Sequence, residues 1–143
     1  MTEITFHFNV PDRTAYACRL LRKATRRGAR VVVTGAPEML GRLDRELWEF
    51  DPVEFIPHLW LHADAALDER RRATPVWLAE DPSNAPEHDV LVNLGECAPS
   101  GFESYARLIE IVSSAEEDRT AARMRWKHYA NRGYPIARHE VAE

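Results

Sequence analysis

Residues 4–10 alternate apolar Ile4, Phe6, Phe8 and Val10 with polar Thr5, His7 and Asn9, the period of a β-strand that buries one face. Pro11 ends the strand and Asp12 suits a helix N-cap. Tyr16, Leu20, Leu21 and Ala24 then recur at helical spacing up to Arg27, with Gly28 as the stop. The β-branched run Val31-Val32-Val33 suits a central strand covered on both faces. With the first strand and the intervening helix it predicts a βαβ unit, and hence parallel strands. The turn Thr34-Gly35-Ala36-Pro37 opens a second helix from Glu38 to about Phe50, in which Leu40, Leu43, Leu47 and Phe50 share a stripe.

Between Trp48 and Leu61 the chain is dense in aromatics and interrupted by Pro52 and Pro57, which rules out a long helix. Trp48, Phe50, Phe55 and Trp60 either all fill the core or leave one or two as an apolar contact patch. From His62 to Thr74 the pattern turns polar, with Arg70-Arg71-Arg72 inside it, as in an exposed connection. Val76–Ala79 and Val90–Leu94 read as strands on either side of a loop. Residues 105–113 alternate Leu108 and Glu110 against Ile109 and Ile111 and fit either a strand or the end of a helix beginning near Phe102; the cluster of Ile109, Ile111 and Val112 favours a strand over Leu108–Val112. Ser114 precedes Ala115 and the acidic first turn Glu116-Glu117-Asp118 of a last helix, which runs to about Asn131 and stops at Gly133. The expected architecture is one α/β domain over residues 1–143, a mostly parallel central sheet flanked by helices.

Charge singles out the last helix. The chain carries a formal net charge of -4, yet residues 1–118 hold 13 basic and 21 acidic side chains while residues 119–143 hold 6 and 2. Arg119, Arg123, Arg125, Lys127 and Arg132 share that helix with Trp126 and Tyr129. Cations attract over distance and rings supply desolvated contact area, so this surface suits an anionic partner with an apolar part. Around the helix, Arg119, Ala122, Arg123, Trp126, Tyr129 and Ala130 fall on one side and Ala121, Met124 and His128 opposite. Either Trp126 and Tyr129 are core and the arginines snorkel past them, or the rings rim a pocket beside the sheet.

Other chemistries find little footing. The second strand-to-helix turn has neither Gly-x-Gly-x-x-Gly nor a phosphate-loop lysine, which argues against a nucleotide cofactor. His58 and His62 are four apart, but Pro57 precedes them and no third ligand matches, so no metal is expected. Cys18 and Cys97 form no Cys-x-x-Cys pair and read as packing residues. No nucleophile has a base partner and no carboxylate pair is recognisable, so no catalytic residue is assigned. The N-terminus lacks an export signal and no apolar run reaches membrane length, so a cytoplasmic protein without a membrane contact is expected.

Trp48, Phe55-Ile56-Pro57-His58, Pro75-Val76-Trp77-Leu78, Asn93-Leu94-Gly95, Glu110-Ile111-Val112, Arg123 through Tyr129, and Gly133-Tyr134 resemble, in order and spacing, the chi subunit family of bacterial DNA polymerase III. The resemblance implies a Rossmann-like α/β adaptor of the clamp-loader complex with no activity of its own. Its implied partners are the acidic, phenylalanine-ending C-terminal tail of single-stranded DNA-binding protein and the psi subunit or another clamp-loader component, with DNA reached mainly indirectly. It implies tail contacts at Val112, Arg123 and Trp126, with Lys127, Tyr129 and Gly133 nearby, and psi-side contacts at Trp48 and Phe55. Trp126 stands where the family often has tyrosine, and residues 59–74 follow the family pattern least. The alternative is a module that binds single-stranded nucleic acid directly.

Overall fold

Alternation in the first strand does divide the molecule into two cores, one on each face of a sheet. The computed structural model describes residues 1–49, 56–61 and 73–141. Strand β1 (Glu3–Val10) sends Ile4 and Phe6 to one face. Helix α1 (Arg13–Arg26) covers the other with Ala17, Cys18 and Leu21. Asp12 caps α1 by accepting the Ala15 N–H at 3.2 Å. Val31–Thr34 forms β2, buried along its whole length, and Pro37–Glu49 forms α2, with Pro37 at the first helical position and Leu40, Leu43 and Leu47 inward.

The remaining elements are β3 (His58–Trp60), β4 (Val76–Leu78), β5 (Val90–Asn93), β6 (Arg107–Ser113), α3 (Glu116–Asn131) and β7 (Ile136–Glu140), with short 3-10 turns at Pro82–Asn84 and Phe102–Ser104. The sheet of the described residues has seven strands in the order β3-β4-β2-β5-β6-β1-β7. Every pairing is parallel, the Rossmann-like α/β arrangement. β1 and β2 share the sheet but are not neighbours, because β6 and β5 lie between them. The α1 and α2 layer packs on Val31, Val33, Val92, Ile109 and Ile111. The α3 layer packs on Ile4, Phe6, Leu91, Leu108 and Val112.

Two features depart from the pattern read in the chain. Val10 does not follow Ile4 and Phe6. Asn9 adopts φ 64, the register with β6 breaks between His7 and Val10, and Val10 lands in the α1 core. The last strand, β7, carries no apolar alternation and is exposed at four of its five positions. It exists through its backbone ladder to β1, from Ile4 beside Ile136 to Phe8 beside Glu140. Of the two cysteines, Cys18 is buried as expected, whereas Cys97 is exposed. Phe50, Phe55, His62 and the Arg70–Arg72 run lie outside the described residues. Among the described residues no helix is long and apolar enough to cross a membrane.

Candidate functional site

A cavity of about 670 Å³ opens at the carboxyl ends of β1, β6 and β7 beside α3. Open parallel sheets commonly bind ligands at this end, because the strands stop there and the crossover connections splay apart. The β6–α3–β7 connection straddles β1 here, so the floor of the cavity is β1 itself.

Each element contributes a different kind of side chain. Phe6 and Phe8 come from β1 and Val112 from the end of β6, an apolar floor. From α3, Ala122 and Trp126 form one wall, with the Trp126 ring 5.0 Å from that of Phe6 and tilted by 48°. Arg119, Arg123 and Lys127 follow at four-residue steps along the same helix, a row of cations one above another. From β7, Arg138 closes the far side with its guanidinium 5.0 Å from the Phe8 ring and 6.0 Å from the Trp126 ring, within cation–π range. The lining thus holds four cations and one acid, Glu140.

Arg119 and Arg123 both approach the exposed Glu116 carboxylate, at 3.8 and 3.7 Å. Such loose surface pairs exchange readily for a ligand carboxylate. Trp126 is neither core nor fully exposed. It is a half-buried wall, so the two rings divide between the alternatives left open by helical periodicity: Trp126 stands beside a pocket and Tyr129 is core.

Tyr129 and Gly133 are placed elsewhere. Tyr129 is fully buried and donates its hydroxyl to Glu110 at 2.5 Å. Gly133 sits past the end of α3 at φ 80. There its N–H bonds the Ala130 carbonyl and the Tyr134 N–H bonds the Tyr129 carbonyl, so it terminates the helix. Among the residues expected at the tail site, the cavity therefore unites Val112, Arg123, Trp126 and Lys127, and the other two hold the helix that carries them.

Arg125 belongs to that support as well. Counted by sequence among the surface cations, it is instead buried. Its Nε donates to Glu110 at 3.0 Å and its Nη1 to the Glu96 carbonyl at 2.9 Å. Asn93 donates to the same carboxylate from β5, at 3.0 and 3.1 Å. Burial pushes the Glu110 carboxyl upward, opposed first by Arg125 and then by the hydrogen bonds of Tyr129 and Asn93. Burial and the Glu110 charge push the Tyr129 hydroxyl far up, so it remains a donor.

Phe6, Phe8, Asn9, Arg138 and Glu140 were not expected at the site. Alternation marks Phe6 and Phe8 as strand residues but says nothing of a cavity. Arg138 and Glu140 lie on a strand without a sequence signature.

At the opposite edge of the sheet, Trp48 on α2 is 60% exposed, with its ring 5.3 Å from His58 of β3. His58 is itself fixed by Ile56 and Asp44 oxygens at 2.7 and 3.0 Å. Six interstrand steps separate β3 from β7, roughly 29 Å at the usual spacing.

Residues 1–137 match the family model of the DNA polymerase III chi subunit, HolC. The chain belongs to this family. It is 33% identical over 147 residues to the DNA polymerase III subunit chi of Pseudomonas aeruginosa, covering 99% of this chain and 98% of that one. It is 28% identical over 129 residues to the subunit chi of Haemophilus influenzae, covering 87% and 85%. Membership of the chi family makes it an accessory protein of DNA replication.

Proposed function

We propose that this chi-family chain is a non-catalytic adaptor of the polymerase III clamp-loader complex. In this reading the cavity between α3, β1 and β7 receives the acidic C-terminal tail of single-stranded DNA-binding protein. The observation that carries the proposal is an apolar floor of Phe6, Phe8 and Val112 and a Trp126 wall beside a row of cations, Arg119, Arg123 and Lys127. A peptide ending in phenylalanine presents a ring and a carboxylate on one residue. The ring fits the floor, and the carboxylate takes the guanidinium of Arg123 in a two-point contact that a lysine cannot reproduce. Arg119 and Lys127, one turn to either side, suit the aspartates that precede the terminal residue.

The exposed Trp48 is the anchor proposed for psi, or for another clamp-loader component, on the far edge of the sheet; Phe55, the other residue that the family resemblance implies for this partner, lies outside the described residues. Two surfaces at opposite edges let one small domain hold two partners at once. DNA is then reached at the α3 site through the protein that coats it.

The test is an NMR titration with a short acidic peptide ending in phenylalanine. Shifts are expected at Val112, Arg123 and the Trp126 indole. Affinity should fall about 10-fold or more in Arg123→Ala, roughly 1.4 kcal/mol, and should weaken with added salt. If the peptide leaves these resonances unmoved while naked single-stranded DNA shifts them, the site is a nucleic-acid surface and the adaptor reading is wrong.

A further inference from the structure

The chain has a second cationic surface that neither the sequence reading nor the tail site accounts for. From Arg13 to Pro37 there are seven basic residues and no acid, on a chain of net charge -4. Five of them, Arg19, Arg22, Lys23, Arg26 and Arg27, line one shallow depression along α1, and no other residue type contributes to it. Arg19, Lys23, Arg26 and Arg27 are exposed. Their spacing of three and four residues stacks them on one helix face, where like charges repel. Lys23 and Arg26 lie in the last turn, where the helix dipole favours cations, but Arg19 and Arg22 lie above it. Among the described residues, Arg19, Lys23 and Arg27 enter no ion pair with a carboxylate.

We propose that this α1 stripe is a direct contact surface for the phosphate backbone of DNA. The lining is purely cationic and four of its five members are arginine, whose planar fork matches phosphate oxygens. It offers no ring or aliphatic wall to anchor a peptide side chain or to enter a lipid surface. From Arg19 to Arg27 the stripe runs roughly 12 Å along the helix, the length of about three to four nucleotide steps. For a DNA polymerase III subunit the repeating polyanion at hand is DNA.

Position separates this surface from the tail site. α1 packs on the Val31, Val92 and Ile109 face of the sheet and α3 on the Phe6, Leu108 and Val112 face. A tail peptide on one face leaves the other open to a strand of DNA. The contact is of the sequence-independent kind, with dissociation constants of about 10⁻⁴–10⁻⁶ M, and adds grip to a complex already tethered elsewhere.

Fluorescence anisotropy with a labelled single-stranded oligonucleotide tests the proposal at about 0.1 M salt, where screening confines charge effects to roughly 10 Å. The combined variant Arg19→Glu, Lys23→Glu, Arg27→Glu should lose about 10-fold or more in affinity. The slope of log affinity against log salt should shrink by about 2, that of three lost phosphate contacts. Arg119→Glu, Arg123→Glu, Lys127→Glu makes the same charge change on α3. It should keep DNA affinity within about threefold while losing the tail peptide. The three glutamine replacements on α1 repeat the test without charge reversal, should the glutamate variant not fold. Equal losses from the α1 and α3 variants, no binding by the wild-type chain, or co-sedimentation with phosphatidylserine vesicles that displaces the oligonucleotide would each overturn the assignment.

Discussion

Arg125 of α3 and Glu110 of β6 form an ion pair at 3.0 Å with side chains only 5% and 0% exposed. The pair ties the helix that carries the proposed ligand cations to the strand that carries Val112. Removing one member leaves the other as an uncompensated buried charge, so Arg125→Ala is expected to cost about 3–5 kcal/mol in denaturant unfolding. The paired replacement Glu110→Leu with Arg125→Met should cost less than Arg125→Ala alone, because no charge is stranded. Peptide affinity should fall in Arg125→Ala even though Arg125 does not line the cavity. A double replacement as unstable as the single would show that the Tyr129 and Asn93 donors orphaned by the loss of Glu110, or the packing, outweigh the stranded charge.

His7 gives the fold a pH dependence. Burial, then repulsion from His139 and Arg107, lowers its pKa from 6.5 to about 4. The neutral ring accepts the Tyr16 hydroxyl on Nδ1, and burial keeps that phenol protonated. Between pH 6.5 and 4 the unfolded chain binds a proton that the folded chain refuses. Stability from this residue is therefore complete above about pH 6.5 and is lost as pH falls towards 4. The ring is partly exposed, and solvent screening limits the effect to about 1 kcal/mol. Denaturation midpoints at pH 7 and pH 4.5 should differ less in His7→Gln than in the wild-type chain. An unchanged difference would place the titration elsewhere.

Much of this layout was legible along the chain, and the failures have physical reasons. Asp12, Gly28 and Gly133 mark helix ends because capping and left-handed backbone are local requirements. Leu108–Val112 reads as a strand because the β-branched cluster Ile109, Ile111 and Val112 is a local signal too. Strand order is not local, so a βαβ reading of β1 and β2 cannot foresee that β6 and β5 pair between them. The charge tally counted Arg125 among the cations of the last helix because nothing on the helix reveals Glu110 waiting on β6. The same limit hid Arg138 and Glu140, since β7 owes its existence to a ladder with β1 rather than to its own side chains. Of the elements that build the cavity, β1, β6 and α3 were readable one by one; β7 and the convergence of the four were not.

Two glycines with the same backbone conformation should respond differently to alanine. Gly133 has φ 80 and open space where a Cβ would be, so Gly133→Ala should cost only the left-handed conformation, about 1 kcal/mol. Gly101 has φ 75, and a Cβ there would come within 2.9 Å of the Ser83 Cβ. Gly101→Ala therefore adds a clash between the two 3-10 turns and should be the more destabilising by about 1 kcal/mol or more. Thermal melts of both variants give the ranking, and equal losses would mean that the Ser83 turn yields without cost.

Glu140 is the one acid on a cavity wall that otherwise offers Arg119, Arg123, Lys127 and Arg138. If an acidic peptide end enters there, Glu140 repels it. Glu140→Gln keeps the size and the hydrogen-bonding capacity while removing the charge, so affinity for the tail peptide should rise about 2- to 5-fold at low ionic strength, and the gain should shrink with salt. The side chain is exposed and the backbone of β7 makes the strand, so stability should change by less than about 0.5 kcal/mol. Titration calorimetry at two salt concentrations separates the charge effect from any change in packing. A loss of affinity in Glu140→Gln would instead mean that the carboxylate orients a neighbouring arginine towards the ligand, and that the wall is set by an ion pair formed only on binding.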